Sequence, residues 1–340
     1  MTHRKFDIHM ESMRTGSSTA CIAQGGVRGI YRGRSLAPMA RSSRTTCPDH
    51  GALPEERSDV TLSRRASLAM SLLPVLPVLP WLFDLVPSRA ARAAASPSLR
   101  PLTAAERTSV LNVLAATIPA SKAPLMLRLI FHDGATYRIA DGAGGGVNGS
   151  IQFELDRPEN FGLKRGTNVI KQLQANSNSN SPSVSFSFAD WIVLAAAYAV
   201  KITNGPDLFP RLRVGRVDAG SADPEGRLPE ETLSAAGQLD MFEKMGFNAT
   251  EMVALLGSHT IGQKGFGGPL EFDNVYYTSL LERPWEKKDD TMASMIGLAS
   301  DRVLPDDERT RKVVERFAGD QAAFFDEFEK AFLKLSELGV

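Results

Sequence analysis

From Thr103 onward the apolar positions fall at helical spacing. Thr103-Ala-Ala-Glu106 fits a capping box, and Val110, Leu111, Leu114 and Ile118 then make one apolar stripe, predicting a helix to about Ile118. Pro124 sits where a first helical turn tolerates it. It opens an oily helix over 125–132 that Asp133-Gly134 stops. A further helix is predicted over 163–173, followed by a surface loop over 176–185, which is almost all Asn and Ser. Ser187 reads as a cap for an apolar segment over 191–202, a buried central helix ended by Asn204-Gly205-Pro206. A long ordered loop follows, then a helix closed by Gly246. The next helix is capped by Asn248 and carries Met252, Leu255, Leu256 and His259 on one face. Helical segments over 271–283, 310–317 and 320–335 complete the chain, the last with Phe324, Phe325, Phe328 and Phe332 for the core. Strand patterns are nearly absent, so the predicted class is all-α with long loops.

Composition divides this picture in two. The 340 residues carry no net charge, yet residues up to Ala95 hold 13 basic and 7 acidic side chains, leaving 26 and 32 for the rest. A body that is slightly acidic argues against nucleic-acid binding. Residues 1–95 are rich in Arg and Ser at first. Ser63-Arg64-Arg65, an apolar run broken by Pro74, Pro77, Pro80 and Asp84, and the small-residue stretch ending at Ala95 follow. This order predicts a bipartite targeting region: a chloroplast transit peptide, then a twin-arginine-like signal for the thylakoid lumen, with the stroma as the alternative. The prolines argue against a stable membrane span. Residues 96–340 form the predicted functional domain.

Cys21 and Cys47 both precede that domain, so it has no disulfide, thiolate metal site or cysteine nucleophile. It has two histidines, His132 and His259, each near the end of an apolar helix. Arg128, Phe131 and His132 share one helix face. The plainer alternative is a core helix with a satisfied histidine. Zinc would need further ligands at matched spacing, and Gly257-Ser258-His259 is not a nucleophile elbow. Heme asks for less: one imidazole on the iron, a carboxylate behind it, and polar groups in a dry pocket on the other face.

The motifs RLIFHDGA (128–135), DPEGRLPEET (223–232), ALLGSHTIG (254–262), EFDN (271–274) and LASD (298–301) resemble, in order and spacing, those of plant-type heme peroxidases. PEGRLP and the terminal LKLSELG resemble class I, the ascorbate peroxidase family, closest to the plastid ascorbate peroxidase-related group. The resemblance implies two helical halves sandwiching heme b, with hydrogen peroxide and a small reducing substrate as partners. It implies His132 as acid–base catalyst, Arg128 as fixed cation, Asn160 as acceptor for His132, and Phe131 above the heme. His259 would be the axial iron ligand, backed by Asp301, with Phe266 beside the cofactor.

Several positions depart from that pattern. Phe131 stands where class I has Trp. The loop after His259 is short and lacks the family's ascorbate-binding Arg and the Trp of the proximal pair, and Ala120 stands where a Lys helps hold ascorbate. Thr260 and Asp273 are left as a weak candidate cation site, which puts bound potassium or calcium in doubt. The expectation is therefore a peroxidase that lacks the usual ascorbate site. The alternative is a catalytically inactive, peroxidase-like binding or structural protein. Oligomeric state is not legible.

Overall fold

The computed structural model describes residues 98–142, 144–180, 185–287 and 290–340. The expected targeting region lies outside these. Ten α-helices hold the described chain together: α1 (Ala104–Thr117), α2 (Ala123–Gly134), α3 (Lys164–Asn180), α4 (Phe188–Ile202), α5 (Ala235–Met245), α6 (Ala249–Leu256), α7 (Val275–Glu282), α8 (Ala299–Arg302), α9 (Glu308–Gly319) and α10 (Gln321–Ser336). One two-residue antiparallel ladder joins β1 (Arg100–Pro101) to β2 (Arg213–Val214). Among the described residues no single helix is long and apolar enough to cross a membrane.

The helix starts follow local chemistry. Thr103 and Glu106 form the capping box of α1, Asn248 and Glu251 that of α6, and Ser187 accepts from the Asp190 amide at the head of α4. Such caps satisfy amides that have no partner inside the helix. Helix α4 is buried nearly all round and packs against α1, α2 and α3. Helix α10 packs on α6, and α9 on α6 and α7, around a cluster of Phe317, Phe324, Phe328 and Tyr277. A buried ion pair, Arg216 to Asp190 at 2.8 Å, fastens the head of α4, and the same guanidinium donates to the Ser336 carbonyl at the end of α10.

Two segments differ from the sequence pattern. Helix α3 continues through Asn176 to Asn180, where the Asn/Ser run predicts a loop. Extending a formed helix adds a hydrogen bond for each residue fixed, and that outweighs the modest propensity deficit of Asn and Ser. The glycine-rich stretch over 141–150 reads as a flexible connector, but its end is pinned. The Asp133 side chain, fully buried, accepts from the Gly149 amide at 2.8 Å and the Ile151 amide at 3.0 Å. Asp133 thus holds a loop as well as ending α2. Burial pushes its carboxyl up to about 7, against the pull of those two amides.

Asp133→Ala should lower unfolding free energy by about 2–4 kcal/mol, since two buried amides lose their acceptor. Urea denaturation of the purified protein checks this. A change under about 1 kcal/mol would mean that water or a shifted loop satisfies both amides.

Candidate active site

One cavity of ≈ 250 Å³ is lined by both histidines of the domain. Its walls are largely apolar, with Leu127, Phe131, Phe242, Leu255 and Leu298 among them. Polar side chains reach it from Arg128, Glu230, Glu231 and Lys264.

Helix α2 supplies one wall. His132 Nδ1 lies 2.8 Å from Asn160 Oδ1, an oxygen that can only accept. The amide is oriented by its own N–H₂, which donates to the Glu154 carbonyl at 3.0 Å. Glu154 is in turn buried and paired to Arg157 at 2.8 Å. This chain assigns the proton to Nδ1 and leaves Nε2 unprotonated. Burial first, then the neighbouring Arg128 charge, outweigh the Asn160 bond and bring the His132 pKa down to about 4. At neutral pH the ring is uncharged.

Arg128, one helical turn away, is exposed and lines the cavity. Its Nε–H points to His132 Nε2 at 3.3 Å, while its two terminal nitrogens donate to the Phe161 and Glu159 carbonyls, each at 2.8 Å. Three anchors hold the guanidinium at the imidazole edge. Burial lowers its pKa and nearby Glu231 opposes that, but arginine stays a cation. Phe131 stacks on Phe242 at 5.8 Å and meets the His132 ring edge-on at 6.3 Å.

His259 belongs to the other wall. Helix α6 tightens into a 3₁₀ turn, Gly257–Thr260, which presents it. Gly257 is needed there: an added Cβ would meet the Tyr277 hydroxyl at 2.2 Å and the Phe324 ring at 2.6 Å. His259 Nδ1 donates to Asp301 Oδ1 at 2.8 Å. Among the described residues its Nε2 has no hydrogen-bond partner, so an unprotonated nitrogen is left on the cavity side. Asp301 is fully buried at the start of α8 and also accepts the Leu298 amide at 2.8 Å and the Tyr276 hydroxyl at 2.9 Å. Burial alone would push its carboxyl up. The hydrogen bonds from His259, the Leu298 amide and the Tyr276 hydroxyl work against burial, and the carboxyl is held below the usual range.

The structure thus gathers Arg128, Phe131, His132 and Asn160 on one side, and His259 with Asp301 on the other. Phe266 packs edge-on to Tyr276 at 4.9 Å and against Gly297, behind the residues that line the cavity. The Gly262 to Gly267 loop turns its ring back into the aromatic cluster, where burial is complete. Thr260 donates to Asp273 at 2.7 Å, and the same oxygen takes the Val275 amide. Among the described residues no group of three His, Cys, Asp or Glu side chains could hold a metal ion.

Sequence reasoning missed Tyr276 and Glu231. Tyr276 is one of two adjacent tyrosines in an apolar helix, and spacing alone does not say which of them meets a residue 25 positions on. An apolar slot with one fixed imidazole, its Nδ1 on a carboxylate and its Nε2 unpaired, suits axial heme binding.

The sequence profile of the family described as Peroxidase matches residues 109–320. The chain is 44% identical over 228 residues, 67% of each chain, to a protein of Arabidopsis thaliana named "Putative L-ascorbate peroxidase 6". It is 36% identical over 229 residues (64% of this chain, 74% of the relative) to L-ascorbate peroxidase 3 of the same plant. It is also 33% identical over 241 residues, 65% of each chain, to the mitochondrial cytochrome c peroxidase of Emericella nidulans.

Proposed function

The chain belongs to the peroxidase family, and from that premise we propose that it reduces hydrogen peroxide with a small, uncharged organic donor, using heme b held by His259. The observation that carries this reading is the pairing of two differently prepared imidazoles on one cavity. One keeps Nε2 unprotonated as a base, with Arg128 beside it as a donor; the other keeps Nε2 without a partner, as a ligand.

Heme bound at His259 would supply an iron centre that takes up the oxidising power of peroxide and hands it on to the donor one electron at a time. His132 Nε2 would accept the proton of one peroxide oxygen and return it to the other, a transfer that needs the ring neutral and its tautomer fixed. Asn160 fixes that tautomer. Arg128, held by the Phe161 and Glu159 carbonyls, would stabilise negative charge on the departing oxygen without having to reorganise. Phe131, Phe242 and Leu127 keep water from the reacting oxygens, which strengthens both effects.

The donor reading rests on charge. Glu230 and Glu231 line the cavity, and an adjoining cleft that shares Glu230 adds Asp156, Glu159 and Glu225. Arg128 and Lys264 balance Glu230 and Glu231 in the cavity itself, so the excess negative charge is that of the adjoining cleft, where Arg157 is the one cation among those carboxylates and Glu154. Ascorbate, an anion at neutral pH, would meet net repulsion here; a neutral phenol would not. The expected result is a kcat/KM for guaiacol above that for ascorbate by about tenfold or more, equivalent to about 1.4 kcal/mol. Steady-state turnover with both donors checks it, and ascorbate oxidation as fast as that of the phenol would refute the charge argument.

A further inference from the structure

One buried hydroxyl has no part in the steps above. Tyr276, on α7, is fully buried among aromatic rings: Phe266 at 4.9 Å, Tyr277 at 5.0 Å and His259 at 6.1 Å between centroids. A hydroxyl in such surroundings costs free energy unless it is bonded. It donates to Asp301 Oδ1 at 2.9 Å, the same oxygen that takes the His259 Nδ1–H at 2.8 Å. The Leu298 amide occupies Oδ2. One carboxylate oxygen therefore serves a phenol and an imidazole together. Tyr277, the next residue and equally buried, sends its hydroxyl to the Val253 carbonyl at 3.0 Å instead.

We propose that Tyr276 is a positioning residue that limits how strongly Asp301 polarises His259, by sharing Oδ1 with it. A carboxylate oxygen that already accepts one donor is a weaker acceptor for the next. With Tyr276 in place, the Nδ1 proton stays more firmly on the ring, and Nε2 donates less charge to whatever it ligates. The phenol also fixes the carboxylate plane, since three donors from α7, α8 and the 3₁₀ turn converge on it. A packing role alone would need only the ring, and the ring's aromatic neighbours would accept phenylalanine.

The inference rests on His259 being the heme ligand. Its test is the ferric–ferrous midpoint potential of the heme-loaded protein, measured by spectroelectrochemistry together with the iron–histidine stretch by resonance Raman. Tyr276→Phe should lower the midpoint by about 59 mV, a tenfold change in a one-electron equilibrium, and raise the stretching frequency. Tyr277→Phe, which removes a hydroxyl of like burial from the same cluster, should move neither. Uniform fluorotyrosine labelling of the wild type makes the phenol a stronger donor of nearly the same shape. It should move the midpoint upward, and it decides the matter if Tyr276→Phe does not fold. A midpoint equal in the two Phe variants, or unmoved by fluorotyrosine, overturns the inference alone. A protein that takes up no heme overturns the proposed function and this inference with it.

Discussion

His132→Leu should slow the reaction with hydrogen peroxide by about 10²–10⁴-fold, the usual worth of a positioned acid–base group. Leucine fills similar space in a wall already built from Leu127, Phe131 and Phe242, so heme uptake should persist. Stopped-flow mixing of the heme-loaded protein with peroxide measures the rate constant. The pH profile gives a second readout. His132 has a pKa lowered to about 4 by burial, so the wild-type rate should be level at neutral pH and fall as pH drops through about 4. The variant should lose that limb. A variant as fast as wild type would remove His132 from the chemistry.

The same shift bears on stability, with a definite sign. A histidine that titrates at 6.5 when unfolded and about 4 when folded contributes stability above 6.5 that is lost as pH falls toward 4. Its neighbour Asp133 works the other way. Raised from 3.8 to about 7, its contribution is present below 3.8 and lost as pH rises toward 7. Adjacent residues thus offset each other over much the same window. The acid limb of the rate profile is therefore better evidence about His132 than any pH dependence of unfolding.

His259→Ala should abolish stoichiometric heme retention, and peroxide turnover with it. His132 is the other imidazole on the cavity, and its Nε2 already accepts from Arg128. The heme-to-protein ratio and Soret absorption of the purified variant measure the loss. Exogenous imidazole should restore part of both, because truncation opens the space the ring vacates. Asp301→Asn is the milder companion: removing the carboxylate behind a ligating histidine typically costs about 10–100-fold in affinity or activity. A variant at His259 that keeps heme with an unchanged spectrum would mean the axial ligand lies elsewhere.

Much of the site could be read along the chain because its parts are local. Arg128 and His132 are one helical turn apart, and any helix over 125–132 sets them side by side. The caps at Thr103, Ser187 and Asn248 are equally short-range, and each is present. The readings that needed revision concern longer range or weak local signals. Asn and Ser in series predict a loop, yet α3 runs through to Asn180. The glycine-rich stretch looks like slack until the buried Asp133 claims its Gly149 amide and the Ile151 amide just after it.

The sequence by itself determined the helices, the two histidines and the family motifs, because periodicity, caps and residue identity are properties of neighbouring positions. The tertiary structure alone decided which groups share an atom. Asp301 lies 42 residues from His259 and 25 from Tyr276, and only packing brings both donors to one carboxylate oxygen. Separations of that size carry no periodic signal. They are fixed by how α7 and α8 close around the 3₁₀ turn, and there the charge that reaches His259 is set.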